Sequence, residues 1–190
     1  MGKINAAEKI TNEKFLNLYK VHAENKEGKQ ISYLVASRAK EVDELKAISD
    51  SNKPDAVAIL GITEDEKVVL IRQYRYAIGD YIYELPAGLV DEGEDIYDTA
   101  IREMKEETGL DLTPQKVPFS RGFYSSAGMT DESCAIVFGE VKGTISKAGN
   151  EANEEIEILL VGKDEIVRIL KEEKVCMKTA LCLMNVICGE

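Results

Sequence analysis

The chain has 190 residues, 44% of them hydrophobic and 31% charged, with a formal net charge of −11. That length suits one domain or one domain plus a small appendage, at roughly 100–200 residues per domain, and the composition excludes wholesale disorder. The acid excess argues against a nucleic-acid partner and against a basic membrane-surface anchor, because both are bound largely through Lys and Arg.

None of the four cysteines belongs to a C-x-x-C pair. Cys176, Cys182 and Cys188 are spaced by six, which fans them about 120° apart on a helix rather than converging them on a metal. They read as free thiols of a reducing compartment. Met1 to Lys14 has no apolar core of a secretory signal. The most apolar stretch, Val175 to Cys188, carries Lys178 and Asn185 and falls short of the ~20 residues that span a bilayer. A soluble, cytoplasmic protein with no membrane partner is the expectation.

In chain order, Phe15 to Ser37 predicts a hairpin. Phe15, Asn17, Tyr19 and Val21 alternate with Leu16, Leu18, Lys20 and His22; Glu24 to Lys29 supplies a polar turn; and Gln30 to Ser37 places Ile31, Tyr33 and Val35 on one face. His22, the sole histidine, reads as structural. Glu41 to Ile48 suggests a short helix through Val42, Leu45 and Ile48, and Ser49 to Pro54 a linker, since the residue before proline is pushed out of the helical region. Beyond Asp55, strands are expected at Ala56–Ile62, Val68–Tyr74 and Tyr81–Leu85. A helix should run from about Asp95 to Thr108, with Gly109 as its left-handed cap. Strands follow at Val117–Tyr124, Cys134–Val141 and Ile156–Val161, then helices at Lys163–Glu172 and Met177–Ile187. The fold class is α/β, a layered domain with a mixed sheet over residues 51–190, preceded by a small β-hairpin segment over residues 1–50.

Residues 91 to 107 carry eight acids against Arg102 and Lys105, and so −6 of the net charge. On a helix, Tyr97, Ala100, Ile101 and Met104 form an apolar stripe. Glu103, Glu106 and Glu107 form a second stripe about a third of a turn away. Like charges so placed repel by a few tenths of a kcal/mol per pair, and a divalent cation reverses the sign of that interaction. Mg²⁺ takes hard oxygen ligands and keeps waters and substrate phosphates in its shell.

The spacing around these acids is specific. Gly88, five residues, Glu94, seven residues, then Arg102-Glu103-Met104-Lys105-Glu106-Glu107-Thr108-Gly109-Leu110 is similar at every defining position to the signature of the Nudix hydrolases, G-x5-E-x7-R-E-U-x-E-E-x-G-U. The resemblance implies a Nudix-type α/β/α sandwich. It implies that Glu103 and Glu107, commonly with Glu106 and the carbonyl of Ala87, bind Mg²⁺ or Mn²⁺. It also implies that Arg102 and Glu94 form a pair bracing loop to helix. Gly88 is expected to permit a backbone conformation that brings the carbonyl close to the metal.

Outside that box, Arg72-Gln73-Tyr74-Arg75 followed by Glu84-Leu85-Pro86-Ala87-Gly88 resembles the ADP-ribose pyrophosphatase branch of the family. The resemblance implies that Arg75 contacts substrate phosphate, as a planar guanidinium can do bidentately, and that Glu84 lies near the metals. Ser126 to Glu132 resembles the branch's substrate loop, which implies roles for Gly128 and Glu132 near the ribose-phosphate portion. That branch usually has proline where Ala127 stands; its absence leaves the loop's φ unset and keeps other nucleoside diphosphate sugars open. The general base in such enzymes is a glutamate on the loop before the last strand. Glu151, Glu154 and Glu155 are the candidates, and Glu154, two residues before the final strand begins at Ile156, fits best. Branch members use such an N-terminal hairpin segment to build a swapped homodimer, so a homodimer is implied; Tyr19 and Tyr33 are candidates for stacking, with core or interface packing the favoured reading.

The reading is therefore Mg²⁺-dependent hydrolysis of ADP-ribose to AMP and ribose 5-phosphate. Hydrolysis of another nucleoside diphosphate sugar or a dinucleotide is the alternative. A sensor that binds ADP-ribose without cleaving it comes third, because the box carboxylates are all present.

Overall fold

The computed structural model describes residues 2–49, 51–147 and 156–189. Its chain divides into two compact units, one of Met1–Asp55 with Arg121–Cys134, the other of Ala56–Ser120 with Ala135–Glu190.

In the first unit, strands β1 (Lys3–Lys9), β2 (Asn17–Glu24) and β3 (Gln30–Ser37) form an antiparallel sheet in that order. The β2–β3 turn closes because the Asn25 side-chain oxygen accepts from the amides of Glu27 and Lys29, both at 2.9 Å, and Gly28 takes φ +79°. Asn17, Tyr19 and Val21 are buried. Tyr19 is a core residue, fully buried, its hydroxyl donating to the Ala39 carbonyl at 2.6 Å. Strand β1 lies where no strand is predicted. A register shift between Ile4 and Ala6 breaks the alternation that would reveal it.

The helix expected over Glu41 to Ile48 is replaced by a 3₁₀ turn at Val42–Glu44 and one α-helical turn, α1 (Lys46–Ser49). Leu45, between them, adopts ψ 132° and is the one residue of the predicted stripe that is fully buried. Lys46, with 9% of its side chain exposed, ties this region together: its ammonium donates to Asp55, to Ser133 and to the Lys53 carbonyl.

The second unit holds β4 (Ala56–Thr63), β5 (Val68–Arg75), β6 (Asp80–Glu84), β7 (Ala87–Leu89), α2 (Ile96–Thr108), β8 (Asp111–Gln115), β11 (Ile156–Val161), α3 (Lys163–Glu172) and α4 (Met177–Cys188). It also holds all but the start of β10 (Ser133–Lys142). The sheet runs β11-β5-β4-β10-β8, with β6 on β5 and β7 on β4. Helix α2 lays Ala100 and Met104 on Val57, Ile59, Val69, Ala135 and Val137. Burying a side chain the size of Met104 contributes roughly 1.5–3 kcal/mol. Ala58 and Leu70, on the opposite face by strand alternation, are also fully buried, so both faces at the centre are covered, as an α/β/α sandwich requires. Helices α3 and α4 bury Ile166, Ile169 and Leu183.

The strand expected over Val117–Tyr124 is a correction. Only β9 (Phe123–Tyr124) is extended, pairing with Ser133 and Cys134 inside the first unit. Residues 117–120 turn instead, with the Ser120 amide on the Val117 carbonyl. The strand that follows α2 is β8, at the sheet edge. Its alternation is muted because only Leu112 is buried, and Pro114 is tolerated there because an edge strand need not donate on both sides.

Candidate active site

Helix α2 begins at Asp95, whose carboxylate accepts from the Tyr97 amide at 2.9 Å, and ends at Gly109, with φ 76° and its amide on the Lys105 carbonyl. Its buried face is rotated from the predicted stripe. Ile101 is 40% exposed, whereas Thr99, Glu107 and Thr108 are buried beside Ala100 and Met104. The carboxylates are thereby drawn toward the β6–β7 loop.

That loop is held at successive residues. The Leu85 amide donates to the buried Thr179 hydroxyl of α4 at 2.9 Å, the Pro86 carbonyl accepts from the Ile59 amide at 2.8 Å, and the Ala87 amide donates to Glu107 Oε2 at 3.0 Å. Gly88 is glycine for space rather than for φ. It is not in the left-handed region, but a Cβ there would stand 1.9 Å from the Glu103 carboxylate carbon. This corrects the conformational reason expected from the sequence: the carboxylate occupies the volume a side chain would fill.

Arg102 is the hub of the acidic edge. Its Nε and Nη2 grip Glu94 at 3.1 and 2.9 Å, its Nη1 donates to Glu103 at 2.7 Å and to Glu106 at 3.2 Å, and its Nη2 reaches the Leu89 carbonyl at 3.2 Å. Glu94 also accepts from the Thr99 hydroxyl at 2.7 Å. Hydrogen bonds from Arg102 first, then Thr99, push the Glu94 carboxyl down to about 2. Hydrogen bonds to Glu94 first, and then to Glu103, raise the guanidinium's affinity for its proton.

Arg75 closes β5, and its Nε donates to Glu84 Oε2 at 2.7 Å; Glu84 is buried and Arg75 half exposed. The structure thus brings together Ala87, Glu103, Glu106, Glu107 and Arg102 around one loop and helix, and pairs Arg75 with Glu84.

Gly128 and Glu132 belong to the first unit. There the Gly128 carbonyl accepts from the Tyr33 hydroxyl at 2.5 Å, Glu132 accepts from Arg38 Nε at 2.9 Å, and the Ala36 amide donates to the Met129 carbonyl at 2.9 Å. Glu151, Glu154 and Glu155 lie outside the described residues.

Sequence reasoning did not single out Thr99 or Thr179 for the site. A threonine inside an amphipathic helix gives no signal until its hydroxyl's acceptor is known.

Among the described residues, no three His, Cys, Asp or Glu side chains stand together in ion-holding geometry, and Glu103 and Glu106 both face Arg102. The donor set nonetheless suits a hard divalent cation: carboxylate and backbone oxygens only, with the Glu103 carboxylate seated over Gly88 where a Cβ would stand.

An α/β domain with a glycine loop packed on a carboxylate-bearing helix, braced by a shared arginine, defines the class of protein. The NUDIX domain family matches residues 52–176, and the chain belongs to that family. It is 34% identical over 125 residues to a methanol dehydrogenase activator of Bacillus methanolicus, a match covering 64% of this chain and 65% of that protein. It is 31% identical over 123 residues to an ADP-ribose pyrophosphatase of Bacillus subtilis, covering 64% and 65%. It is 34% identical over 118 residues to an ADP-ribose pyrophosphatase of Escherichia coli, covering 58% and 56%. The chain therefore spans somewhat less than two thirds of these relatives. A crystal structure of an ADP compounds hydrolase superposes with a TM-score of 0.69 at 20% identity, covering 99% of this chain and 92% of the other, and so shares the fold.

Proposed function

We propose that the protein is a Mg²⁺-dependent hydrolase that splits the diphosphate of ADP-ribose into AMP and ribose 5-phosphate, with Mn²⁺ able to substitute. The observation that carries this reading is the packing of the Glu103 carboxylate into the space left by Gly88 while Glu107 holds the neighbouring Ala87 amide. Two ADP-ribose pyrophosphatases among the relatives support the substrate.

Glu103 and Glu107, with Glu106 and the Ala87 carbonyl, would hold the cation. Bound there, the cation would polarise the diphosphate and lower the pKa of a coordinated water. This chain's own residues do the rest. Arg102 fixes the carboxylates through the hydrogen bonds that orient them. Arg75, its Nε held by Glu84, offers its terminal nitrogens to phosphate oxygens. Gly128 and Glu132 contact the ribose-phosphate portion. Glu154 takes the proton of the water whose oxygen attacks one phosphorus, the bridging P–O bond breaks, and the second phosphate leaves with the bond's electrons.

The protein works as a cytoplasmic homodimer joined through its N-terminal sheet, with no nucleic-acid partner. The exposed Ile31 and Tyr33, on one face of β3, support that interface, because an isolated small sheet buries too little surface. No helix among the described residues is long and apolar enough to cross a membrane.

The test is a substrate panel with Mg²⁺ and with Mn²⁺, resolved by product. ADP-ribose should give the highest kcat/KM, with AMP released, and Glu154→Gln should lower kcat by about 10²-fold or more. A faster rate on another nucleoside diphosphate sugar or dinucleotide would reassign the substrate. Binding of ADP-ribose with no turnover would make the protein a sensor.

A further inference from the structure

Thr99 lies outside the residues that carry the family signature, and its side chain is fully buried on α2. Its hydroxyl is 2.7 Å from Glu94 Oε2 and 3.0 Å from the Asp95 carbonyl. A hydroxyl has one proton and two lone pairs. The shorter contact, to the charged acceptor, is where that proton is best spent, because a carboxylate is the stronger acceptor.

Glu94 can rotate about its χ angles in a way that a backbone carbonyl cannot. Without the hydroxyl, its Oε2 keeps the Arg102 Nη2 at 2.9 Å and a long contact from the Asp91 amide at 3.4 Å. Among the described residues, no other donor from the rigid, buried face of the helix reaches that oxygen. Arg102 in turn carries Glu103 and Glu106 on its Nη1. The order of contacts is therefore buried helix face, Thr99, Glu94, Arg102, and then the two carboxylates that would take a cation.

We infer that Thr99 is a positioning residue: its buried hydroxyl locks Glu94, which orients Arg102 and so sets the Glu103 and Glu106 carboxylates for cation binding. The last link rests on the metal-binding reading above; the first two do not. Outer partners of ligating groups typically govern metal affinity by ten- to a hundredfold when removed, and Thr99, one contact further out, should act at the low end.

The test uses the full-length protein with Thr99→Val, which keeps the side chain's shape, and Thr99→Ser, which keeps its hydroxyl. Exchange of the Arg102 Nε–H is followed by ¹H–¹⁵N NMR without metal, and Mn²⁺ affinity by electron paramagnetic resonance. Thr99→Val should speed Arg102 Nε–H exchange severalfold and weaken Mn²⁺ binding about tenfold, and Thr99→Ser should restore both. A merely structural role would lower the melting temperature with Arg102 exchange unchanged, and that result overturns the inference. Faster exchange with unaltered Mn²⁺ affinity overturns its last link. If the wild-type protein itself binds no Mn²⁺, the metal-site reading fails, while the exchange data still decide whether Thr99 orients Arg102.

Discussion

Gly88→Ala separates the account of the site from an account of folding. The new methyl carbon would stand 1.9 Å from Glu103 Cδ and Oε1 and 2.4 Å from Oε2. Ordinary contact begins near 3.4 Å, so the carboxylate must retreat by about 1.5 Å, whereas metal–ligand distances tolerate only about ±0.2 Å. The backbone does not object, because Gly88 has no positive φ. The retreating group is the far end of a flexible side chain, and its lost bond to Arg102 is partly offset by the reduced entropy of the unfolded chain, about 0.4–1 kcal/mol. Stability should change by about 1 kcal/mol or less, which is ~2–4 °C in melting temperature for a chain of this size. Mn²⁺ affinity and turnover on ADP-ribose should each fall about 10²-fold, the order of loss a 1 Å misplacement brings. The assay pairs thermal unfolding with Mn²⁺ titration and initial rates. A Gly88→Ala protein with wild-type Mn²⁺ affinity and rate would refute the reasoning.

Other outcomes follow from the same contacts. The Glu94 carboxyl is held near 2 in the folded chain against about 4.3 when unfolded. Its stabilising contribution is therefore fully present above the unfolded value and is lost as pH falls from there through about 2. Urea unfolding of Glu94→Gln should show a shallower loss of stability across that window than wild type. Gly109→Ala forces a side chain at φ 76° into the Ser146 backbone, with a Cβ at 2.7 Å from its amide nitrogen. It should cost about 1–3 kcal/mol, read as a lower urea midpoint. Lys46→Met leaves Asp55 without its buried counter-ion and should cost about 2–3 kcal/mol, somewhat below the figure for a fully buried pair since Asp55 is partly exposed. The denaturation midpoint measures it.

Helix α2 was legible because every local signal agrees: Asp95 caps it, Ala100 and Met104 repeat at helical spacing, and Gly109 stops it. Strands β4, β5 and β11 were legible because both of their faces are apolar. What stayed hidden depends on partners. Strand β1 is bulged, and β8 shows a single buried side chain. The Glu41–Ile48 pattern has helical spacing, but only Leu45 is buried. Within the site, spacing located Gly88, Glu94, Arg102 and the three glutamates, because their order along one loop and helix is local. It did not reveal that Gly88 is required for the volume of Glu103, nor that Thr179, 94 residues from Leu85, holds that loop. Such contacts are set by tertiary packing, which no window of sequence contains.

The most direct measurement of the central claim is anomalous scattering from crystals grown with Mn²⁺ and a non-hydrolysable ADP-ribose analogue. The account predicts a peak within about 2.0–2.6 Å of carboxylate oxygens of Glu103 and Glu107, the range of hard, oxygen-ligated divalent cations, with the analogue's diphosphate completing the shell. Diphosphate bound with no peak there would contradict it.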